Sequence, residues 1–318
     1  MSRAPRRPLP ELVRAAVSGR DPVALGRVLS YVESGGTELA TLLNALPPER
    51  GRTQVIGVTG PPGAGKSTLT SALVARLRAR GDRVAVLAVD PSSARSGGAL
   101  LGDRIRMQRH DLDPEVVIRS LGSRGQLGGL SAAVPLAVRV LEACGFDTVV
   151  VETVGVGQSE IGVVALADTV LVVLAPGMGD GIQAEKAGLL EEADVFCVNK
   201  ADRDDAGHLV RDLRAMLRLA HSSPGTWTVP LVRTIATSGD GADELLAALT
   251  AHCAWSRGSG EHDHRLRRRL AGEIRAVAAA ERIRTWAERD READLLETLV
   301  TEVLADRLGV VDAARRLV

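Results

Sequence analysis

Residues 54–68 read QVIGVTGPPGAGKST, a β-branched apolar run followed at once by a glycine-rich loop. The loop fits the phosphate-binding pattern G-x-x-x-x-G-K-[ST] in the strand–loop–helix setting that this pattern requires. Glycines let the backbone turn so that its N–H groups face phosphates, and the N-terminus of the following helix adds partial positive charge. The predicted phosphate-binding residues are Gly60, Pro61, Pro62, Gly63, Ala64, Gly65, Lys66, Ser67 and Thr68.

Two side chains of this loop have separate predicted roles. Lys66 should reach the β- and γ-phosphates of a bound nucleotide, and the Ser67 hydroxyl should be a ligand of Mg²⁺. We therefore expect a nucleoside triphosphate and Mg²⁺ as the cofactors of this loop.

From residue 54 onward, short strands alternate with helical stretches. The predicted strands are residues 54–59, 83–89, 115–120, 147–152, 169–175, 195–199 and 229–234. Several are apolar throughout, as parallel strands covered on both faces are. The sequence thus predicts a doubly wound, mostly parallel α/β sheet. We divide the chain into an N-terminal helical extension (1–50), a P-loop domain (51–255) and a C-terminal helical arm (256–318).

Composition narrows the function classes. The 318 residues carry 40 basic and 40 acidic side chains, so no overall charge favours nucleic acid or an anionic membrane. Only 2% of residues are aromatic, too few for a base-stacking surface. Cys144, Cys197 and Cys253 suggest no disulfide framework, and no stretch has the ~18 apolar residues of a membrane span. The basic N-terminus is interrupted by prolines and does not resemble a signal peptide. We expect a cytoplasmic protein without a nucleic-acid or membrane partner.

A second motif, NKAD (Asn199–Asp202), predicts which base is bound. In the N-K-x-D arrangement of GTPases, the Asp carboxylate accepts hydrogen bonds from N1–H and the 2-amino group of guanine. Adenine lacks that pair of donors, so a buried Asp202 would be left unpaired with ATP, which can give discrimination of ~10⁴. The stem of Lys200 would pack along the base. A helix N-cap is the alternative role for this Asp.

A third base-contacting loop should follow the last strand, at Ile235, Ala236 and Thr237. GTPases usually have Ser-Ala here, whereas this chain has Ile235-Ala236. In such loops it is backbone N–H groups that contact guanine O6. The departure therefore makes the loop harder to recognise from its sequence but does not remove that contact.

Acidic residues at strand ends are the metal and water candidates. Asp90 follows strand 83–89 and Glu152 ends strand 147–152, so both belong at the carboxyl edge of the sheet beside the phosphate loop. Gly155 would let a backbone N–H approach the γ-phosphate. Helix capping is the alternative role for each carboxylate.

The C-terminal region combines charged and apolar helical patterns. We interpret Arg265, Arg267, Arg268 and Arg269 as a solvated helix face, and EHDH (261–264) as an exposed loop with little prospect of binding metal. An apolar stripe with helical spacing runs through Leu295, Leu296, Leu299, Val300, Val303 and Leu304. This stripe either packs on the α/β domain or forms a subunit interface.

Several sequence blocks, taken in their order along the chain, resemble those of the MeaB/ArgK (MMAA-like) family of GTPases. The resemblance is carried by GPPGAGKST, VDPSSARSGGALLGDRIRM, ETVGVGQSE, APGMGDGIQAEKAGLLEEAD and VNKAD, and it extends from LVRAAVSGRDPVALGRVLSYVES to VVDAARRLV. It implies a homodimeric, SIMIBI-like P-loop GTPase that binds GTP or GDP with Mg²⁺. It also implies a chaperone of adenosylcobalamin-dependent acyl-CoA mutases, chiefly methylmalonyl-CoA mutase, that gates cofactor loading and rescues inactivated enzyme.

The same resemblance implies roles for three switch regions. Asp90 and Asp103 would lie in the first, near Mg²⁺ and the γ-phosphate, and residues 152–160 would form the second. Residues 177–186 would form the third, with polar residues that signal to the mutase at Asp180, Gln183 and Lys186. The chain departs from the family pattern at Gly181 and at Ala94-Arg95, which bears on the identity of the partner more than on GTP hydrolysis.

These residues predict direct attack of water on the γ-phosphate, without a covalent intermediate. Val156, not Gln, follows Gly155, so we expect slow intrinsic turnover that a partner accelerates. Three alternatives remain. A metal-insertion GTPase would need a Cys/His ligand set, and a small-molecule kinase would consume ATP, which Asp202 disfavours. A regulatory module would hold GTP without useful hydrolysis.

Overall fold

A seven-stranded, fully parallel sheet forms the centre of the fold. Its strands are β1 (Gln54–Thr59), β2 (Val84–Asp90), β3 (Val116–Gly122), β4 (Thr148–Thr153), β5 (Thr169–Leu174), β6 (Val195–Val198) and β7 (Leu231–Arg233). They lie in the order β3-β2-β4-β1-β5-β6-β7, and each neighbouring pair is parallel. The predicted doubly wound α/β fold is confirmed, and each predicted strand lies within a few residues of an observed one.

The computed structural model describes residues 7–18, 20–35, 38–48, 51–90, 110, 112–122, 133–153, 159–177, 191–219, 225–293, 295–305 and 307–317. The N-terminal helices are α1 (Leu9–Val17), α2 (Pro22–Ser34) and α3 (Leu39–Asn44). Helices α4 (Lys66–Ala79), α5 (Ala133–Ala143), α6 (Ser159–Leu166), α7 (Ala206–Leu219) and α8 (Ala242–Ser259) accompany the strands. The chain continues through α9 (Glu261–Ala293), α10 (Leu295–Leu304) and α11 (Val310–Leu317).

Side-chain alternation divides the core into layers on the two faces of the sheet. On one face, Val55, Leu87 and Val151 pack with α5, α6 and the N-terminal helices. On the other, Ile56 and Val150 pack with α4 and α8. The largest fully buried side chains are aliphatic apart from Phe196, as the composition predicts. Covered faces explain why the strands read as continuous apolar runs.

The carboxyl edge of the sheet, where the strands end, lies next to the phosphate loop. Strand order runs outward from β1 through β4 on one side and through β5 on the other. A crevice opens at such a reversal, and ligands of open α/β sheets bind there. The fold thus places the loop 60–65 at the position where this architecture binds nucleotides.

The predicted boundary at residues 255–256 falls inside a helix. Helix α8 continues to Ser259 and ends at Gly260, which has the left-handed φ of 84°. Helix α9 then packs against α5, α6 and α8. The start of the C-terminal arm is therefore part of the α/β layer, while the three-part division itself stays a prediction.

The interpretation of the arginine run as a solvated face is wrong for two of its members. Arg265 donates to both carboxylate oxygens of Asp194, at 2.5 and 2.9 Å, and Arg269 donates to Asp168 at 3.1 and 3.3 Å. The Arg269 side chain is only 1% exposed. Arg267 does remain exposed. The predicted exposed loop EHDH is likewise wrong, because its residues form the first turn of α9 and His262 Nδ1 lies 3.9 Å from Asp168.

These ion pairs form a cluster at the amino edge of the sheet, where the strands begin. Asp194 also lies 3.2 Å from Nε2 of the fully buried His252, whose Nδ1 is 2.8 Å from the hydroxyl of Thr169. Burial tends to raise the pKa of Asp194, but hydrogen bonds from His252 and Arg265 outweigh it and hold this pKa below its ordinary value. Asp194 is therefore ionised at neutral pH.

Two tryptophans border this cluster, which we call the amino-edge cluster (Asp168, Asp194, His252, Arg265 and Arg269). The indole of Trp227 donates to the carbonyl of Asp194 at 2.7 Å, and its ring meets that of His252 edge-on at 5.0 Å. The Trp255 ring lies 5.6 Å from both of those rings. The two indole rings therefore lie beside the buried imidazole of His252.

The apolar stripe of α10 is partly buried and partly exposed, and the choice between the two roles left open by the sequence stays a prediction. Leu299 is buried, whereas Leu296 is 40%, Val300 42% and Leu304 81% exposed. Within the described residues, no helix combines the length and the apolar character that a membrane crossing requires.

Candidate functional site

The phosphate loop owes its shape to glycines that no other residue can replace. Gly60 has a φ of 136°, and a Cβ there would lie 2.0 Å from the carbonyl oxygen of Val173 on β5. Gly65 has a φ of 90°, and a Cβ there would lie 2.4 Å from the amide nitrogen of Asn199. Both positions combine left-handed backbone with close approach of a neighbour. The loop therefore lies pressed against β5 and against the NKAD motif.

Lys66 is the first residue of α4, and its ammonium group folds back over the loop. It donates to the carbonyl oxygens of Gly60 at 2.8 Å and Pro61 at 3.1 Å. Lys66 is buried, with 7% of its surface exposed, so its charge lies within the loop and not in solvent. A phosphate placed over the N-terminus of α4 would meet both this charge and the N–H groups of the first turn.

Ser67, in the first turn of α4, lies beside Glu152, which is near the end of β4. The Ser67 hydroxyl donates to Oε1 of Glu152 at 2.5 Å, and both residues are buried. Hydroxyl and carboxylate oxygens are the donors that Mg²⁺ prefers. These two residues therefore fit the predicted metal site. Asp90 occupies the last position of β2, which pairs with β4 in parallel register.

A cavity of about 240 Å³ opens beside the phosphate loop at the carboxyl ends of β6 and β7. Its lining contains residues of the phosphate loop and of the two predicted base-binding segments. The lining residues are Gly65, Thr68, Asn199, Lys200, Asp202, Arg203, Ile235, Ala236 and Thr237. The predicted phosphate and base residues thus share one site, although they lie more than 130 positions apart in the chain.

Asn199 joins the three segments. Its amide nitrogen donates to the carbonyl of Ala64 at 2.8 Å, which ties β6 to the phosphate loop. Its amide oxygen accepts from the Thr234 hydroxyl at 3.2 Å and from the Ala236 N–H at 3.1 Å. Asn199 is 2% exposed. A short amide with donors and an acceptor on one side chain can make all these bonds, which explains the need for Asn at this position.

Lys200 adds a second link between the segments. It has a left-handed φ of 56°, and its ammonium donates to the carbonyl of Gly63 at 2.7 Å. This bond stretches the lysine stem across the cavity, as expected for a side chain that packs along a base.

Asp202 lies in the cavity wall but differs from expectation in its burial. Its side chain is exposed. A base that fills the cavity would cover this carboxylate.

The third loop closes on itself through an antiparallel bridge between Ile235 and Asp240. The Ile235 N–H donates to the Asp240 carbonyl at 3.0 Å. We expected backbone N–H groups here to be directed at guanine O6. The Ala236 N–H is instead donated to Asn199, so contact with O6 would require this N–H to be shared.

Two residues of the site escaped the sequence analysis. Thr234 is buried beside Cys197 and Asn199, and Arg203 lines the base cavity directly after Asp202. Neither is part of the motifs used for prediction, and threonine in a strand is an ordinary residue. The signal available was adjacency to a motif at the carboxyl edge of a strand.

Several predicted residues lie outside the part of the chain that the structure describes. These are Asp103, Gly155, Asp180, Gln183 and Lys186. For Asp90 the structure describes the backbone only. Their roles stay predictions.

The thiols do not support a transition-metal site. Burial raises the pKa of Cys144 to about 11 and that of Cys197 to about 12, so both thiols are protonated at neutral pH. Among the described residues, no group of three His, Cys, Asp or Glu side chains is placed to hold a metal ion.

Sequence comparison finds close relatives. A family profile described as methylmalonyl Co-A mutase-associated GTPase MeaB matches residues 25–304. A protein of Pyrococcus horikoshii named as a GTPase is 43% identical over 274 residues, which is 86% of each chain. The GTPase ArgK of Escherichia coli is 38% identical over 251 residues, covering 76% of this chain and 75% of its own.

A mouse relative and a solved structure extend the comparison. The mitochondrial methylmalonic aciduria type A homolog of Mus musculus is 39% identical over 193 residues, covering 60% of this chain and 46% of its own. A crystal structure named LAO/AO transport system kinase superposes with a TM-score of 0.68 at 26% identity, over 99% of this chain and 98% of that one. The same architecture therefore extends over nearly the whole length.

Proposed function

The chain belongs to the MeaB family of methylmalonyl-CoA mutase-associated GTPases. On that premise we propose that it is a Mg²⁺-dependent GTP hydrolase. We further propose that it serves as a chaperone of an adenosylcobalamin-dependent acyl-CoA mutase. In this role it gates cofactor loading and protects or reactivates the mutase. The observation that carries the nucleotide part is the cavity in which Asp202 lies beside the phosphate loop.

Binding follows from the chain's own groups. Lys66 and the first-turn N–H groups of α4 bind the phosphates, and Lys200 lies along one face of the base. Asp202 accepts from N1–H and the 2-amino group of guanine. Because Asn199 holds both the phosphate loop and the third loop, it fixes the distance between phosphate and base sites.

Hydrolysis is an attack of water on the γ-phosphate. Ser67 and Glu152 would supply oxygen ligands for Mg²⁺, and the bound ion would neutralise charge on the phosphates. Lys66 stabilises the charge that develops on the phosphate oxygens. Asp90, Asp103 and Gly155 complete the switch regions in this proposal. Intrinsic turnover is slow, and a bound mutase raises it by ordering the switches through Asp180, Gln183 and Lys186.

The mutase is identified by its effect on hydrolysis. We would measure GTP hydrolysis by the purified protein alone and with each acyl-CoA mutase of the same organism, with ATP as control. A mutase that raises the GTP rate is the partner. Hydrolysis that no mutase alters contradicts the chaperone role and leaves the GTPase, and a preference for ATP contradicts the assignment of Asp202.

Phosphoryl transfer to a small molecule is the second candidate, favoured by the name of the solved structure with the same fold. In a kinase the γ-phosphate of the nucleotide would appear on an organic acceptor. With γ-labelled GTP, our proposal requires all of the label to appear as inorganic phosphate.

A further inference from the structure

Helix α9 attaches to the α/β domain through a mostly polar face. Arg265, Arg269, Glu273 and Ala276 recur at intervals of three or four residues, and this face is turned to the domain. Arg269 is 2%, Glu273 6% and Ala276 8% exposed. A buried ion pair is strongly penalised when its partners are separated. The arginines therefore hold α9 in one register.

Asp168, the partner of Arg269, is a joint between three elements. It lies two residues after the last residue of α6 and directly before β5. Its carboxylate accepts from the N–H of Val55 at the start of β1, at 2.9 Å, as well as from Arg269. Its main-chain carbonyl accepts from Arg265 at 3.0 Å. The end of α6, the start of β1 and the first turns of α9 thus meet at one residue.

Helix α6 is held tightly between this joint and the sheet. A Cβ on Gly57 of β1 would lie 2.5 Å from Val163 and 2.9 Å from Ala167, so α6 packs at the closest distance that glycine permits. Val163 and Leu166 share a core cluster with Ala276 of α9. A displacement of α6 along the sheet therefore changes its contact with α9.

The N-terminal end of α6 is near the nucleotide site in the chain. Strand β4 ends at Thr153, one residue after Glu152, and α6 starts at Ser159. Glu152 is hydrogen-bonded to Ser67 of the phosphate loop. One short helix thus connects the carboxyl edge, where nucleotide binds, to the amino edge, where α9 is fixed.

We propose that the Arg269–Asp168 pair transmits the nucleotide state from α6 to the C-terminal helices α9–α11. The proposal rests on the proposed function, since it requires GTP and GDP to bind at the phosphate loop. A change at the start of α6 reaches its fixed end at Asp168, and the ion pair passes it to α9 instead of letting the helices slip. Arg269 is in this sense a positioning residue, far from the reacting atoms.

Hydrogen exchange of the full chain tests this proposal. We would compare the Mg²⁺ complexes of GDP and a non-hydrolysable GTP analogue. In the wild-type protein, amides of both α6 and the first half of α9 should differ between the two nucleotides by about fivefold or more in exchange rate, the lower end of usual coupling between sites. Arg269→Met should retain the difference in α6 and lose it in α9.

The control is Arg267→Met on the same helix, whose side chain is exposed; it should behave as the wild type. Equal exchange of wild-type α9 with both nucleotides overturns the proposal, as does an unchanged α9 response in Arg269→Met. If Arg269→Met does not fold, the wild-type comparison still decides, and Arg269→Lys should weaken the response. Failure to bind either nucleotide would contradict the proposed function instead.

Discussion

In the proposed function, base selection depends on one carboxylate, that of Asp202. Its side chain is exposed before a base enters, so it makes no contribution to the fold that a substitution would remove. Asp202→Asn should lower the affinity for GDP on the order of 10³-fold, because an amide cannot accept both guanine hydrogen bonds. Affinity for a xanthine nucleotide, which presents a carbonyl in place of the 2-amino group, should rise.

Titration calorimetry with GDP, XDP and ADP measures this. Asp204→Asn, an exposed carboxylate two residues further on, is the matched control and should leave all three affinities unchanged. Loss of GDP binding without any gain for XDP would mean that Asp202 does not contact the base.

Glu152 is the second residue with a separable effect. Glu152→Gln keeps an oxygen near the Ser67 hydroxyl but removes the charge that attracts Mg²⁺. We expect kcat for GTP hydrolysis to fall about 100-fold with little change in the GDP affinity measured without Mg²⁺. A Mg²⁺ titration of steady-state hydrolysis measures the effect. An unchanged Mg²⁺ dependence would remove Glu152 from the metal site.

At the scale of single residues, the motifs predicted which residues belong to the site better than they predicted the contacts between those residues. The phosphate loop and NKAD are local patterns, so their residues could be read directly from the sequence. The Asn199 bonds to Ala64 and Ala236 join segments far apart in the chain, and no single-sequence pattern contains such pairs. Thr234, which donates to Asn199, was missed for the same reason, whereas Arg203 was missed because it follows the NKAD motif without being part of it.

Among elements, strands were easier to predict than helix faces. Buried parallel strands such as β1 and β4 are marked by unbroken β-branched runs, and their predicted ends agree with the structure within about a residue or two. The face of α9 was missed because a search for apolar periodicity ignores arginine. Arg265 and Arg269 are four residues apart, which is a helical interval, but their partners Asp194 and Asp168 lie more than 70 positions away.

The ion pairs of α9 make stability depend on pH. The pKa of Asp194 is held below its ordinary value, so its ionised form contributes stability at pH above about 4, and this contribution is lost as pH falls through the lowered pKa. Arg265→Met should lower the free energy of unfolding by about 3 kcal/mol at pH 7. The difference from wild type should shrink as pH falls below about 4.

Urea unfolding at several pH values measures this dependence. The exposed Arg267→Met should change stability by less than about 0.5 kcal/mol at every pH. A difference between Arg265→Met and wild type that stays constant down to pH 3 would show that packing, and not the charge of Asp194, accounts for the loss.

For the whole molecule, the predicted homodimer can be tested at the C-terminal helices. Val300, Leu304, Val310 and Val311 are each at least 42% exposed on α10 and α11. Where exposed apolar side chains form one large patch, that patch is typical of an interaction surface. We propose that two copies associate through these helices.

Leu304→Asp should convert such a dimer into monomers, because a carboxylate would be buried without a partner. Light scattering after size-exclusion chromatography gives the mass directly. Val23→Asp is a matched control, since Val23 is also exposed, at 63%, but lies on α2. A dimer that survives Leu304→Asp would have to form elsewhere.

The two indoles around His252 give the amino-edge cluster an optical signal of its own. The chain contains three tryptophans and one tyrosine, and two of those tryptophans border a single buried imidazole. The emission of the unlabelled protein is therefore weighted toward the amino edge of the sheet, far from the nucleotide. A change in emission on adding nucleotide would include any change around these two indoles, and it can be measured on the unlabelled protein in solution.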